Sequence, residues 1–121
     1  MRICRAGHNK ALIASNGSVE YLQAEGIGLG LERGPVFESR LQEVRHSLNG
    51  GDLFVFYTDG LTEAMNPLQE QFGEEAVRHV VAARRSLNAQ QLQHSIITAV
   101  EEFRGPAEAP DDLTLVVAKA R

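Results

Sequence analysis

Hydrophobic and polar positions along this chain change their period after residue 57, and the change divides it into a strand-rich and a helix-rich part. Arg2 to Ala6 and Lys10 to Ser15 are short apolar runs, and the second stops at Asn16-Gly17. That dipeptide readily supplies the two positive φ angles of a type I′ turn, so a β-hairpin is predicted over Leu12 to Tyr21. In Gly26-Ile27-Gly28-Leu29-Gly30 glycines alternate with apolar residues. With no strand-to-helix context and no basic residue following, this is a tight loop where backbone passes close to backbone, not a phosphate-binding loop. Val36 to Val44 alternates roughly and predicts another strand, and Asn49-Gly50-Gly51-Asp52 a turn. Leu53-Phe54-Val55-Phe56-Tyr57 is the most hydrophobic run and predicts a central strand buried on both faces.

Beyond it the spacing becomes helical. Ala76, Val77, Val80 and Val81 predict an amphipathic helix over Gly73 to Arg85. Leu92, Ile96, Ile97, Val100 and Phe103 share one face of a second helix from about Asn88, with Ser86 and Asn88 as alternative N-caps. Gly105-Pro106 to Pro110 is a breaker-rich loop, and Leu113 to Ala118 a closing strand.

The 121 residues suffice for one core, and an apolar fraction of 43% makes that core affordable without disorder. A net charge of −4 argues against a nucleic-acid surface. Cys4 is the single cysteine, which excludes an internal disulfide framework and reads as a packed thiol on a strand. No run is long and apolar enough to span a membrane and no signal-peptide pattern opens the chain, so a soluble cytoplasmic protein with no membrane partner is expected.

Carboxylates stand where strands meet loops. Asp59 follows the central strand directly, and Asp111 and Asp112 directly precede the closing one. If those strands are antiparallel neighbours, the three acids converge on one sheet edge. Their mutual repulsion would be relieved by a divalent cation, and hard oxygens without a Cys/His cluster suit Mg²⁺ or Mn²⁺, not structural zinc. Taken alone, the same residues also read as an ordinary Asp-Gly turn and a solvated cap.

Four segments in order resemble one family. Ala6-Gly7-His8-Asn9, the block from Gly51 to Ala64 centred on Thr58-Asp59-Gly60-Leu61-Thr62-Glu63, Phe72-Gly73-Glu74-Glu75, and Asp111-Asp112-Leu113-Thr114 are similar to the SpoIIE/RsbU-type, PP2C-like serine/threonine phosphatases. The resemblance runs from about Ile3 to Val117. It implies an α/β (α+β) fold that is half of a PP2C-like αββα sandwich, with a mixed, largely antiparallel sheet and two antiparallel helices on one face. It implies a Mn²⁺ or Mg²⁺ centre, a pair of ions in the complete domain, that activates water for attack on phosphorus. Asp59 is then a metal ligand, Asp111 the better ligand of the closing pair, Asp112 its support, and Gly60 the residue that lets the backbone turn beside the metals. Glu63 is read as supporting the site or as a surface position. His8 is read first as a structural imidazole bonding a nearby loop and second as a general acid. Arg5 stands where the family commonly has Asn, and Ala11 where it often has Pro.

The family's first half carries a further acidic motif that bridges both metals. Residues 1–121 are therefore expected to be the C-terminal portion of such a domain, impaired or inactive by themselves. The implied substrate is a phosphorylated regulatory protein of the anti-sigma-factor-antagonist type; the rival reading is a non-catalytic interaction module. With helices on one face only, the other sheet face should expose four or five large apolar side chains, and a homodimer through that uncovered face is expected.

Overall fold

The computed structural model describes residues 1–106 and 112–121. In chain order its elements are β1 (Arg2–Ile3), β2 (Leu12–Ser15), β3 (Ser18–Tyr21), α1 (Pro35–Arg40), β4 (Val44–Arg45), β5 (Leu53–Tyr57), α2 (Asp59–Thr62), α3 (Gly73–Ala83), α4 (Ala89–Arg104) and β6 (Leu115–Lys119). Four strands form an antiparallel sheet in the order β3-β2-β5-β6. Asn16 and Gly17, at φ 49° and 85°, close the β2–β3 hairpin where expected. Leu12 lies opposite Val55, and Tyr57 opposite Leu115, so β5 is the central strand.

The alternation in β5 sorts its side chains. Leu53, Val55 and Tyr57 face α3 and α4 with Leu12, Ala14 and Leu115, while Val77, Val81, Leu92, Ile96 and Val100 close that core from the helices. Fully buried aliphatic side chains of this kind contribute roughly 1.5–3 kcal/mol each, so this layer dominates stability. Asn88 resolves the choice of N-cap for α4. Its side chain accepts from Gln91 N at 2.8 Å, and its own N–H donates to Gln91 Oε1 at 3.1 Å, a reciprocal capping box.

Phe54 points the other way, and here the structure departs from expectation. Ile13 and Phe54 are each only 5% exposed, buried with Ala11 and Leu22 and packed by Ile3 and Phe56. The cover comes from Ile3 of β1, a strand that pairs with β4 as a small second sheet, and from His46, whose ring meets Phe54 edge-on at 6.0 Å. Of the apolar face expected to be open, Val116 at 51% exposure and the partly buried Phe56 remain. That surface is smaller than the one on which the homodimer expectation rested.

Three local readings also change. The strand expected over Val36 to Val44 is helix α1 followed by the two residues of β4, because Pro35 in the first turn presets a helical φ. The first strand ends at Ile3, and Cys4 is exposed, not packed. Asp59 to Thr62 forms a helical turn that the apolar spacing did not announce.

Asp52, 3% exposed, caps the Asn49–Asp52 turn at the start of β5. The Asn49 N–H, 2.9 Å from Oδ2, is the first cause that holds this carboxyl below its ordinary value of 3.8; the Ser15 hydroxyl and His46 add to it against the opposing pull of burial. Among the described residues Ser15 Oγ makes no hydrogen bond of good geometry and His46 Nε2 stands at 3.6 Å, so the Asn49 contact is the firm one. A depressed folded-state pKa stabilises the fold above the unfolded value, and that gain is lost as pH falls through 3.8 toward the folded value. Thermal unfolding from pH 6 to pH 3 should show Tm falling at the acid end, and Asp52→Asn should flatten that fall.

Candidate functional site

The edge of interest lies where β5 ends and β6 begins. Thr58 N donates to Thr114 O at 3.1 Å, which carries the β5–β6 pairing one residue past the strand. The Thr58 hydroxyl accepts from Thr114 N at 2.9 Å and donates to Asp112 O at 3.4 Å. One side chain thus ties the residue before Asp59 to the backbone of Asp112, and both acids emerge on the same sheet edge. Asp111 lies outside the described residues.

Asp59 opens α2, and its position is over-determined. Tyr57 before it is 2% exposed and Leu61 after it 0%, so the acid sits between two anchors sunk in the same core. Its carbonyl accepts from Glu63 N at 2.8 Å and from the Thr62 hydroxyl at 3.2 Å, while Oδ1 accepts the Gly60 N–H at 3.1 Å. Gly60 lies inside this helical turn, and its amide orients the carboxylate. The Asp59 and Asp112 residues are exposed and so remain accessible to a cation. Glu63 is exposed at the end of α2, and its amide, donating to Asp59, is what it brings to the turn.

The third strand at this edge is β2. Because β2 runs antiparallel to β5, its first residue, Leu12, is the one nearest the Asp59 end of β5, so the Ala6-Gly7-His8-Asn9 turn ahead of it leads into the sheet from that end. Arg5 fixes that turn, with Nε donating to Ala24 O and an Nη1 hydrogen to His8 O, both at 2.8 Å. His8 is exposed, and it is its carbonyl, not its imidazole, that makes the bond to Arg5. A Cβ on Gly26 would stand 1.8 Å from Arg5 O, and one on Gly7 2.7 Å from Gly28 Cα. The glycine loop is therefore the close backbone-to-backbone approach its sequence indicated.

Sequence reasoning missed Thr58 and the structural use of Arg5. A hydroxyl at the last position of a central strand was the available signal for Thr58; nothing local pointed Arg5 at Ala24.

Chemically the edge offers hard, anionic oxygens. Among the described residues no three His, Cys, Asp or Glu side chains gather closely enough to hold a metal ion. Asp59 and Asp112 suit Mg²⁺ or Mn²⁺ by donor type, as contributors to a larger oxygen set and not as a complete cage.

The chain is similar in fold to several solved phosphatase domains. It matches the SiaA PP2C domain of Pseudomonas aeruginosa with a TM-score of 0.79 at 18% identity, covering 99% of this chain and 46% of that one. Against the phosphatase domain of the cell-fate determinant SpoIIE from Bacillus subtilis, presoaked with Mn, the TM-score is 0.67 at 18% identity, with coverage of 98% and 50%. The RsbU and RsbW domains of Rv1364c from Mycobacterium tuberculosis give 0.69 at 27% identity, with coverage of 99% and 32%. The chain thus spans half or less of each of these solved chains. No curated protein matches its sequence. The family model described as Stage II sporulation protein E (SpoIIE) matches residues 1–121, the whole length. With a fold shared with PP2C phosphatase domains and a family match over every residue, this chain belongs to the SpoIIE family.

Proposed function

We propose that residues 1–121 are the C-terminal portion of a metal-dependent protein serine/threonine phosphatase domain, contributing Asp59 and the Asp111-Asp112 pair to a Mn²⁺ or Mg²⁺ site. The observation that carries this reading is the β5–β6 pairing, with the Thr58 bridge that sets Asp59 and Asp112 on one edge. When bound, the metal would lower the pKa of water and neutralise charge on phosphoryl oxygens. The chain's own residues hold and orient the ligands. The Gly60 N–H occupies one oxygen of Asp59 and leaves the other free, and Thr58 fixes the separation of the two strand ends. The substrate this reading implies is a phosphoserine or phosphothreonine on a regulatory protein, of the kind represented by anti-sigma-factor antagonists.

Divalent hard cations gain most from several anionic oxygens held together, and this portion supplies only part of such a set. The 121 residues by themselves should therefore show weak or no Mn²⁺-dependent release of phosphate from a phosphoprotein. Robust turnover abolished by Asp59→Asn would show that this portion holds a complete site. The rival reading, a non-catalytic interaction module, draws on Leu29, Leu31 and Val36, which are 77, 72 and 49% exposed around the start of α1. Absence of any Mn²⁺ binding, together with no turnover, would favour it.

A further inference from the structure

A cleft of about 470 Å³ opens between the Arg5–Lys10 turn, residues 23–27 and the end of α1, lined among others by Arg5, Lys10, Gln23, Glu25, Ile27 and Arg40. We propose that this cleft binds an acidic segment of the phosphoprotein substrate, next to the edge that carries Asp59. The proposal deepens the phosphatase reading and rests on it for the identity of the ligand as substrate.

Charge is the first argument. Among the described residues, Arg5, Lys10 and Arg40 line one concavity against one acid, Glu25, in a chain whose net charge is −4. Among the described residues the ion pairs involve Arg2, Arg45, His46 and Arg78, and none of the three cleft cations. Preorganisation is the second. A guanidinium has five N–H donors in a fixed fork. Arg5 spends one on Ala24 O and one on His8 O, both at 2.8 Å, so the remaining donors are held in place before a ligand arrives. A fixed guanidinium binds carboxylate or phosphate without losing further rotamer freedom. The wall behind it is tightly packed, because Gly26 and Arg5 meet backbone to backbone.

Position is the third argument. Lys10 lines the cleft two residues before β2 begins at Leu12, whose partner on β5 is Val55, four residues before Asp59. A peptide whose phosphoserine reaches the Asp59 edge would run an adjoining acidic residue past Lys10 into the cleft. The volume suits one or two side chains, not a folded domain. Nucleic acid would need an extended basic stripe, which an isolated cleft on an acidic chain does not provide.

The test is fluorescence polarisation of a labelled hexa-aspartate peptide titrated with this chain in EDTA, with hexa-asparagine as control. Lys10→Glu combined with Arg40→Glu should weaken the aspartate peptide roughly tenfold, as exposed attractions become repulsions, with Tm essentially unchanged. Asp59→Asn should leave peptide affinity as it was, so a failure of the metal reading would not register here. Inorganic phosphate that displaces the peptide would support a general oxyanion site, and failure to displace it would support a cleft that reads an extended acidic segment. Equal binding of hexa-asparagine, affinity indifferent to the charge reversals, tighter binding of single-stranded DNA, or a loss in Asp59→Asn as large as in the reversal variant would overturn the proposal.

Discussion

Asp59→Asn should reduce the Mn²⁺ affinity of this chain at least tenfold, about 1.4 kcal/mol, while the fold stays intact. The substitution keeps an oxygen in place of Oδ1 to accept the Gly60 N–H, so the helical turn that follows loses little. What it removes is the negative charge, on which a hard cation depends. Asp52→Asn is the matched control. Asp52 immediately precedes β5 and Asp59 lies just beyond its other end, so the two acids stand at opposite ends of the same strand. Asp52→Asn should therefore lower Tm and leave Mn²⁺ affinity unchanged. Calorimetric titration with Mn²⁺ and thermal unfolding of both variants separate the two effects, and a reversed pattern would mean the cation binds at the wrong end of the sheet.

Gly26→Ala should be the most destabilising single substitution in the loops around the site. The new Cβ would lie 1.8 Å from the Arg5 carbonyl oxygen and 3.0 Å from its carbon, and both are backbone atoms that cannot rotate away. Arg5 in turn holds the residues 23–27 strip through Ala24 O and the 6–9 turn through His8 O, so the clash displaces both. Overpacking of this kind costs about 2–3 kcal/mol, which lowers Tm by roughly 6–15 °C in a domain of this size. Leu29→Ala, three residues away but 77% exposed, should stay within about 0.5 kcal/mol of the parent. Equal Tm values for the two variants would mean that the close approach at Gly26 is relieved in solution.

What could be read from the sequence was local. The Asn16-Gly17 turn, the double-sided burial of Leu53 to Tyr57 and the helical spacing of α3 and α4 each depend on neighbours within a few residues, and each stands in the structure. The antiparallel pairing of β5 with β6 entered as a condition on strand polarity, supported by the family resemblance; the structure has it, with Asp59 and Asp112 at one edge. Burial of the second sheet face escaped notice because it depends on β1 pairing with β4 some forty residues away, through Ile3 opposite Val44, and no periodicity encodes that meeting. Val36 to Val44 misled because its apolar positions fit period two about as well as a short helix, and Pro35 decides for the helix. At the edge itself, the acids were legible as residue types at strand ends. The Thr58 bridge was not, since a hydroxyl's partner is known only once the neighbouring strand is in place.

Paramagnetic broadening of backbone amide resonances on stepwise addition of Mn²⁺ tests the central claim most directly. A cation held at the β5–β6 edge should first bleach the amides of Thr58, Asp59, Gly60, Asp112 and Leu113, and Asp59→Asn should abolish that pattern at the same Mn²⁺ concentration. Broadening centred instead on Asp52, on Glu74 and Glu75, or spread evenly over the exposed acids would contradict a metal site at this edge.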